Sequence, residues 1–313
     1  MRSREPARAA AARMTSTTIQ APPQGLRRRL LARLYRHPRL QLALLLAPPT
    51  GWFGAVYLGS LAVLFVAAFW YLDPLTSAIK HDLTLKNFET LVSNSVYRTV
   101  TLRTVGIAAL VTVLDALLAF PVAYFMARYA GPRTRAMMFI LVLLPLWSSY
   151  LVRVYAWRVI LGNGGPFEWT LQQVGIPNAV LYPSDLAIPI VFTYIWLPYM
   201  ILPIYAGLER LPTSLLEASG DLGARPAMTF RRVVLPLVFP AVVAGSIFTF
   251  SLTLGDYITP GLVSNSQFIG NVIYDSQGVS GNVPFAAAYA TVPVLIMALY
   301  LVAARRLGAF DAL

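Results

Sequence analysis

The chain has 313 residues, 57% of them apolar and only 12% charged, with a mean hydropathy of +0.63. Soluble domains carry about 25% charged residues, so half that share points to a bilayer as the solvent. Cysteine is absent, which excludes disulfides, thiol catalysis and thiolate metal sites; His37 and His81 are the only histidines and sit in separate polar segments, which argues against a metal cluster.

In chain order, residues 1–39 hold ten arginines among Ala and Pro without an apolar period. They read as a cytoplasmic tail, disordered or lying on a surface. The first apolar run begins near Leu40, too late and too long for a secretory signal. A bilayer core needs about 20 apolar residues per helix. Six stretches reach that length, at about 50–72, 103–126, 136–160, 185–207, 236–255 and 285–304, the first preceded by an apolar lead-in that ends in Pro48-Pro49. Pro121, Pro145, Pro189, Pro198, Pro203, Pro240 and Pro293 fall inside them. Membrane helices tolerate this because neighbours re-satisfy the freed carbonyls. The organisation expected is the tail 1–39, a first helix with its outer loop at 40–94, a core at 95–307 and a short end at 308–313.

Loop charge sets the expected topology. The net charge of +12 is almost all arginine, with Lys80 and Lys86 the only lysines. Arg128, Arg133 and Arg135 fill loop 127–135; Arg210, Arg225, Arg231 and Arg232 lie in loop 208–235; Arg305 and Arg306 close the last span. Segments 161–184 and 256–284 have no basic residue, and 73–100 balances its bases with Asp73, Asp82 and Glu89. The positive-inside rule puts both termini and the arginine-bearing loops in the cytoplasm of a multi-pass protein of the cell (inner or plasma) membrane. Arginines placed this way at span ends are not a nucleic-acid footprint.

Loop 208–235 is patterned beyond its charge. Ser214 and Glu217 have the spacing of a capping box, Gly223 is placed to close a short helix, and Pro226 suits the first turn of a second. Two short helices around a glycine corner would project as a knob able to enter a groove on a partner. A Walker A motif needs a Gly-rich turn ending in Gly-Lys-Ser/Thr. Lys80 in IKHD and Lys86 in LKNF supply none, so ATP hydrolysis by that route belongs to another chain.

Glu217-Ala218-Ser219, Gly223 and Val233-Val234-Leu235-Pro236 resemble the EAA-x3-G-x9-I-x-L-P pattern of permease subunits of binding-protein-dependent ABC importers. Ser219 stands for the last Ala and Val233 for Ile. The resemblance implies an all-α integral membrane protein of six transmembrane helices with a five-helix type I importer core. It implies a non-catalytic subunit without cofactor or metal, coupled to an ATPase through Glu217, Ala218, Ser219, Gly223, Leu235 and Pro236. The implied partners are two copies of an ATP-binding subunit, a second homologous permease and an extracytoplasmic substrate-binding protein. Segments 145–166 and 267–288 are further similar to permeases of spermidine/putrescine importers, which implies polyamine transport.

Ionisable groups inside spans cost about 2.5–3.5 kcal/mol on insertion scales and call for a purpose. Asp115 lies mid-span: a carboxylate facing a solute cavity, a polar contact with the partner permease, or an acid bonded to a neighbouring helix. Arg153 and Arg158, at the outer end of the third stretch, brace the outer loop or the binding-protein dock; for an anionic solute they would be natural ligands. Asp256 with Trp147, Tyr150 and Tyr257 makes either a cation-receiving vestibule or an interfacial aromatic belt with a solvated carboxylate. The other readings are an importer permease for another small solute, such as an organic anion or amino-acid derivative, and a self-contained secondary transporter. A secondary transporter predicts an internal repeat; a membrane enzyme would need a catalytic cluster, and neither is evident in the sequence.

Overall fold

The structure is a computed structural model in which residues 38–176 and 181–306 are described. The expected tail 1–39, apart from its last two residues, and the end 308–313 lie outside them. Contacts divide the chain into two units, 1–63 and 64–313, with the boundary inside the first spanning helix. That helix, α1 (Gln41–Ala67), starts in the lead-in rather than at 50 and ends before 72. Pro48 and Pro49 sit within it, and the Thr50 hydroxyl donates to the Leu46 carbonyl at 2.5 Å. A π-turn at Phe53–Leu58 follows.

After α1 comes a small hairpin, β1 (Tyr71–Leu72) antiparallel to β2 (Ile79–Lys80). Lys80 lies 2.7 Å from Asp73 and, through that hydrogen bond, holds the Asp73 carboxyl down to about 2. Asn87 of α2 (Lys86–Ser93) donates to the Ala68 and Trp70 carbonyls at 3.1 and 2.7 Å. Asn94 then starts α3 (Ser95–Arg128), its side chain accepting from the Val96 amide at 2.9 Å. With 34 residues, α3 is about 50 Å long and outruns the hydrocarbon core at its ends.

The third stretch is not one straight span. α4 (Pro132–Leu143) runs into a tight turn at Leu144–Trp147, the chain extends through Ser148 and Ser149, and α5 (Tyr150–Leu161) leaves at 95°. Pro145 removes a backbone donor at the bend, and the Ser148 hydroxyl donates to its carbonyl at 2.7 Å. With that bent pair taken as one crossing, the described residues make six crossings by length and composition.

A short α6 (Pro166–Gln173) precedes α7 (Ala187–Glu209), the most buried span. Then come α8 (Thr213–Asp221), α9 (Pro226–Thr229), a π-turn at Phe230–Val234 and α10 (Leu235–Gly255). The chain finishes with α11 (Ile258–Val263), α12 (Ile269–Gly278) and α13 (Val283–Arg306).

α3, α7 and α10 form the centre. At one end Ala119, Ala123 and Met126 of α3 pack on Met200, Ile204 and Leu208 of α7 and on Val234 and Val238. At the other, Val111 meets Ile188, Phe192 and Ile195 of α7 with Val263 and Phe268. Lipid is as apolar as leucine, so association here rests on close packing rather than on escape from water. Gly207 and Gly245 allow it: a Cβ on Gly207 would stand 2.5 Å from the Ala241 Cβ, and one on Gly245 would stand 2.7 Å from the Met200 sulfur. Hydroxyls join the same elements, Thr249 to Thr112 at 3.4 Å and Tyr300 to Ser246 at 2.7 Å. Tyr289 donates to the Tyr97 carbonyl at 3.1 Å, placing the starts of α13 and α3 together. Val243 and Ala304 pack at the opposite end. Thus the end of α13 lies beside the first half of α10, toward the end of the bundle that bears the arginine-rich loops.

Candidate functional site

At the arginine-rich end, segment 208–235 is built around two short helices. Pro212, extended at ψ 134°, ends the turn after α7, and its carbonyl accepts from the Leu215 amide at 3.3 Å. The helix therefore starts at Thr213 and carries Ser214 inside its first turn. The expected capping box between Ser214 and Glu217 is not formed, because Pro212 takes the cap position and no side chain caps there. The expected glycine stop is formed. Gly223 has φ +78°, its amide bonds the Gly220 carbonyl at 2.8 Å, and the Ala224 amide bonds Ser219 at 3.1 Å. This is the Schellman arrangement that a residue with a Cβ resists.

Pro226 opens α9 at its first position, as expected, but α9 is not a separate knob. The π-turn carries it straight into α10, making one helical rod from Pro226 to Gly255. Ser219 and Thr229 hydroxyls meet at 2.9 Å and clasp α8 to α9. Leu216 faces the core, while Glu217, Ala218 and Gly223 are exposed and Leu222 stands 89% exposed at the corner. Leu235 and Pro236, also exposed, begin α10. The segment thus presents a rigid, outward-facing surface anchored on both sides by spanning helices.

Two arginines counted only as loop charges in the sequence hold this segment in place. Arg128, the last residue of α3, donates to the Leu208 and Leu211 carbonyls, both at 2.8 Å. Arg135 donates to the Met126 carbonyl at 3.1 Å and lies 3.8 Å from Glu209, which also accepts from the Tyr205 hydroxyl at 2.9 Å.

The opposite end holds a concavity of about 370 Å³ whose lining includes Tyr150, Trp196, Asp256 and Tyr257. Asp256 caps α11 by accepting from the Ile258 and Thr259 amides at 2.7 and 3.0 Å. Its other oxygen accepts from the Tyr150 hydroxyl, which also meets Thr259 at 2.5 Å. Tyr150 stacks on Trp196 and Tyr257 on Tyr274. Trp147 is not part of this group; it stands 91% exposed at the bend. Nearby, Asp185 accepts from the Ser264 and Ser266 hydroxyls at 2.5 and 2.9 Å. Partial burial raises its pKa, but those bonds outweigh it and leave the carboxyl below the ordinary range.

Arg158 lies over the Tyr182 ring at 5.1 Å, bracing the segment before α7. Arg153 lies 5.8 Å from the Tyr150 ring, and its Nε and Nη1 are buried without hydrogen-bond partners among the described residues. Asp115 is wholly buried and faces Thr193 of α7 without a hydrogen bond at either oxygen. Trp196 and Thr259 had no sequence signal, since neither stands in a motif.

Residues 119–310 match the family described as the binding-protein-dependent transport system inner membrane component. The chain belongs to this family. It is 46% identical over 314 residues to the inner membrane ABC transporter permease protein YdcU of Escherichia coli, covering 96% of this chain and 100% of that protein. It is 33% identical over 221 residues to the spermidine/putrescine transport system permease protein PotB of Haemophilus influenzae, covering 69% and 77%. Solved structures share the fold. A bacterial alginate ABC transporter in complex with its pentasaccharide-bound periplasmic protein superposes at TM-score 0.68 with 15% identity, over 90% of this chain and 97% of that one. The inward-facing methionine transporter MetNI superposes at 0.52 with 19% identity, over 67% and 94%. The ABC importer permease is therefore an all-α, multi-pass inner-membrane protein with the type I importer architecture.

Proposed function

We propose that this permease forms half of the translocation pathway of a polyamine importer and that segment 208–235 is its docking site for a separate ATP-binding subunit. The observation that carries the coupling role is the Gly223 corner. It fixes Glu217 and Leu222 outward on a segment continuous with α10 and bonded through Arg128 to α3. A push on that surface from a closing pair of ATPases would displace spanning helices directly, the rigid-body route to alternating access. Glu217, Ala218, Ser219 and Gly223 form the contact, and Leu235 and Pro236 begin the helix that receives it. In this reading 95–307 is the permease core, both termini are cytoplasmic, a second homologous permease completes the path, and an extracytoplasmic binding protein delivers the solute to the opposite end.

The polyamine assignment is supported by the similarity to PotB and by the Asp256 carboxylate set among Tyr150, Trp196 and Tyr257, a lining suited to an organic cation. One observation favours a second reading, an organic anion: the buried, unpartnered Nε and Nη1 of Arg153 suit a carboxylate.

The test is reconstitution of the complex in liposomes with labelled putrescine or spermidine. ATP-dependent uptake that Glu217→Ala cuts at least tenfold, with the complex still assembled, is the expected outcome. Binding-protein-stimulated hydrolysis without polyamine uptake would discard the solute and keep the coupling. Uptake indifferent to the ATPase would overturn the reading.

A further inference from the structure

The last four carbonyls of any helix lack partners inside it, and a cation near them is favoured by the helix dipole. Such caps are usually local. The end of α7 is capped from another helix as well: Arg128 Nη2, at the end of α3, bonds the Leu208 and Leu211 carbonyls across 80 and 83 residues of sequence. The end of α3 is capped in turn from α4, where Arg135 Nε reaches the Met126 carbonyl and Nη2 lies 3.5 Å from those of Ala127 and Ala130. Arg135 also faces Glu209, one residue from the first carbonyl that Arg128 holds.

The start of α4 and the ends of α3 and α7 are therefore joined in series by guanidinium groups, and α8 begins directly beyond the last link. Separating α7 from α3 would break both bonds of a half-buried guanidinium at once and leave the Leu208 carbonyl only its local bond from the Leu211 amide at 3.3 Å. We propose that Arg128 is a positioning residue of the transport cycle: it makes α3 and the start of segment 208–235 move as one body. Motion delivered to that segment then reaches α3 and, through Arg135, α4 and the bend at Ser148 and Ser149. This rests on the coupling role of 208–235 proposed above. Arg128 takes no part in holding solute.

The chain has no cysteine, so labels can be placed singly. Arg133 and Arg225, both exposed, flank the joint. Spin labels on Arg133→Cys and Arg225→Cys in the assembled complex are expected to keep one separation through the ATP cycle. With Arg128→Ala added, the separation should broaden and change on ATP binding, and solute carried per ATP should fall at least fivefold while hydrolysis continues. Arg128→Lys, which keeps the charge but not the planar donor array, should recover part of that ratio. A separation that varies through the cycle with Arg128 present would overturn the inference, as would an unchanged ratio in Arg128→Ala. If Arg128→Ala fails to assemble, the label pair with Arg128 intact still decides. If the unaltered complex shows no ATP-driven uptake at all, the coupling reading fails rather than this joint.

Discussion

Gly207 sits where α7 and α10 come closest, and its lack of a side chain is what permits the contact. Replacing it with alanine would gain about 1 kcal/mol of helix propensity. The new Cβ would stand 2.5 Å from that of Ala241, an atom fixed to backbone that cannot rotate away. Overpacking of this kind costs about 1–3 kcal/mol, so the clash wins. Gly207→Ala is expected to lower the melting temperature of the detergent-purified permease, and Ala241→Gly in the same chain to restore most of the loss. A Gly207→Ala protein as stable as the parent would contradict the packing. Residues of this kind are hardly legible in sequence: Gly207 stands in no motif, whereas Gly223 was readable because a glycine after a short polar helix has one conformational job. Ser214 misled for a related reason, since its spacing to Glu217 was right but Pro212 had already set where the helix begins.

At the scale of elements, the π-turn at Phe230–Val234 is the join between α9 and α10. Such turns accommodate one extra residue in an otherwise regular helix. Inserting one alanine between Leu237 and Val238, in the regular part of α10 where no wide turn absorbs it, should rotate everything before it by about 100°, the angle of one residue at 3.6 per turn. Thr229 would then leave Ser219. ATP-driven uptake is expected to vanish while membrane insertion, read by expression in the membrane fraction, persists. Retained uptake would mean that the phase of α9 relative to α10 is unimportant. Hydropathy located every spanning element because apolar length is what a bilayer selects. It placed α1 too late, since Pro48-Pro49 looked like a stop, and it missed the bend, since two extended serines within an apolar run barely alter the average.

For the whole molecule, the sidedness proposed from the arginine distribution is directly measurable, because the sequence has no cysteine. Single cysteines at Arg133 and Arg225 should react with an impermeant maleimide only in inside-out vesicles, and one at Ser276, in α12, only in right-side-out vesicles. Labelling of Arg133 and Arg225 from opposite sides would refute the topology. The family could be read from one loop, because a surface that must fit a partner constrains spacing as well as composition. The solute could not, because the groups that line the concavity, Tyr150, Trp196 and Asp256, meet only through the bend and the α10–α11 turn.

The bend also has a consequence for the bilayer expected around it. The first arm holds twelve α-helical residues and four in the tighter turn, about 26 Å in all, against a hydrocarbon core of about 30 Å. The second arm leaves at 95° to the first, so the first arm alone falls short of that core by about 4 Å. The exposed indole of Trp147 suits a membrane–water boundary, so a local dip of headgroups and water at the bend is the expected consequence. Such thinning would give an ion moving along that flank a shallower dielectric barrier than the nominal thickness of the membrane implies.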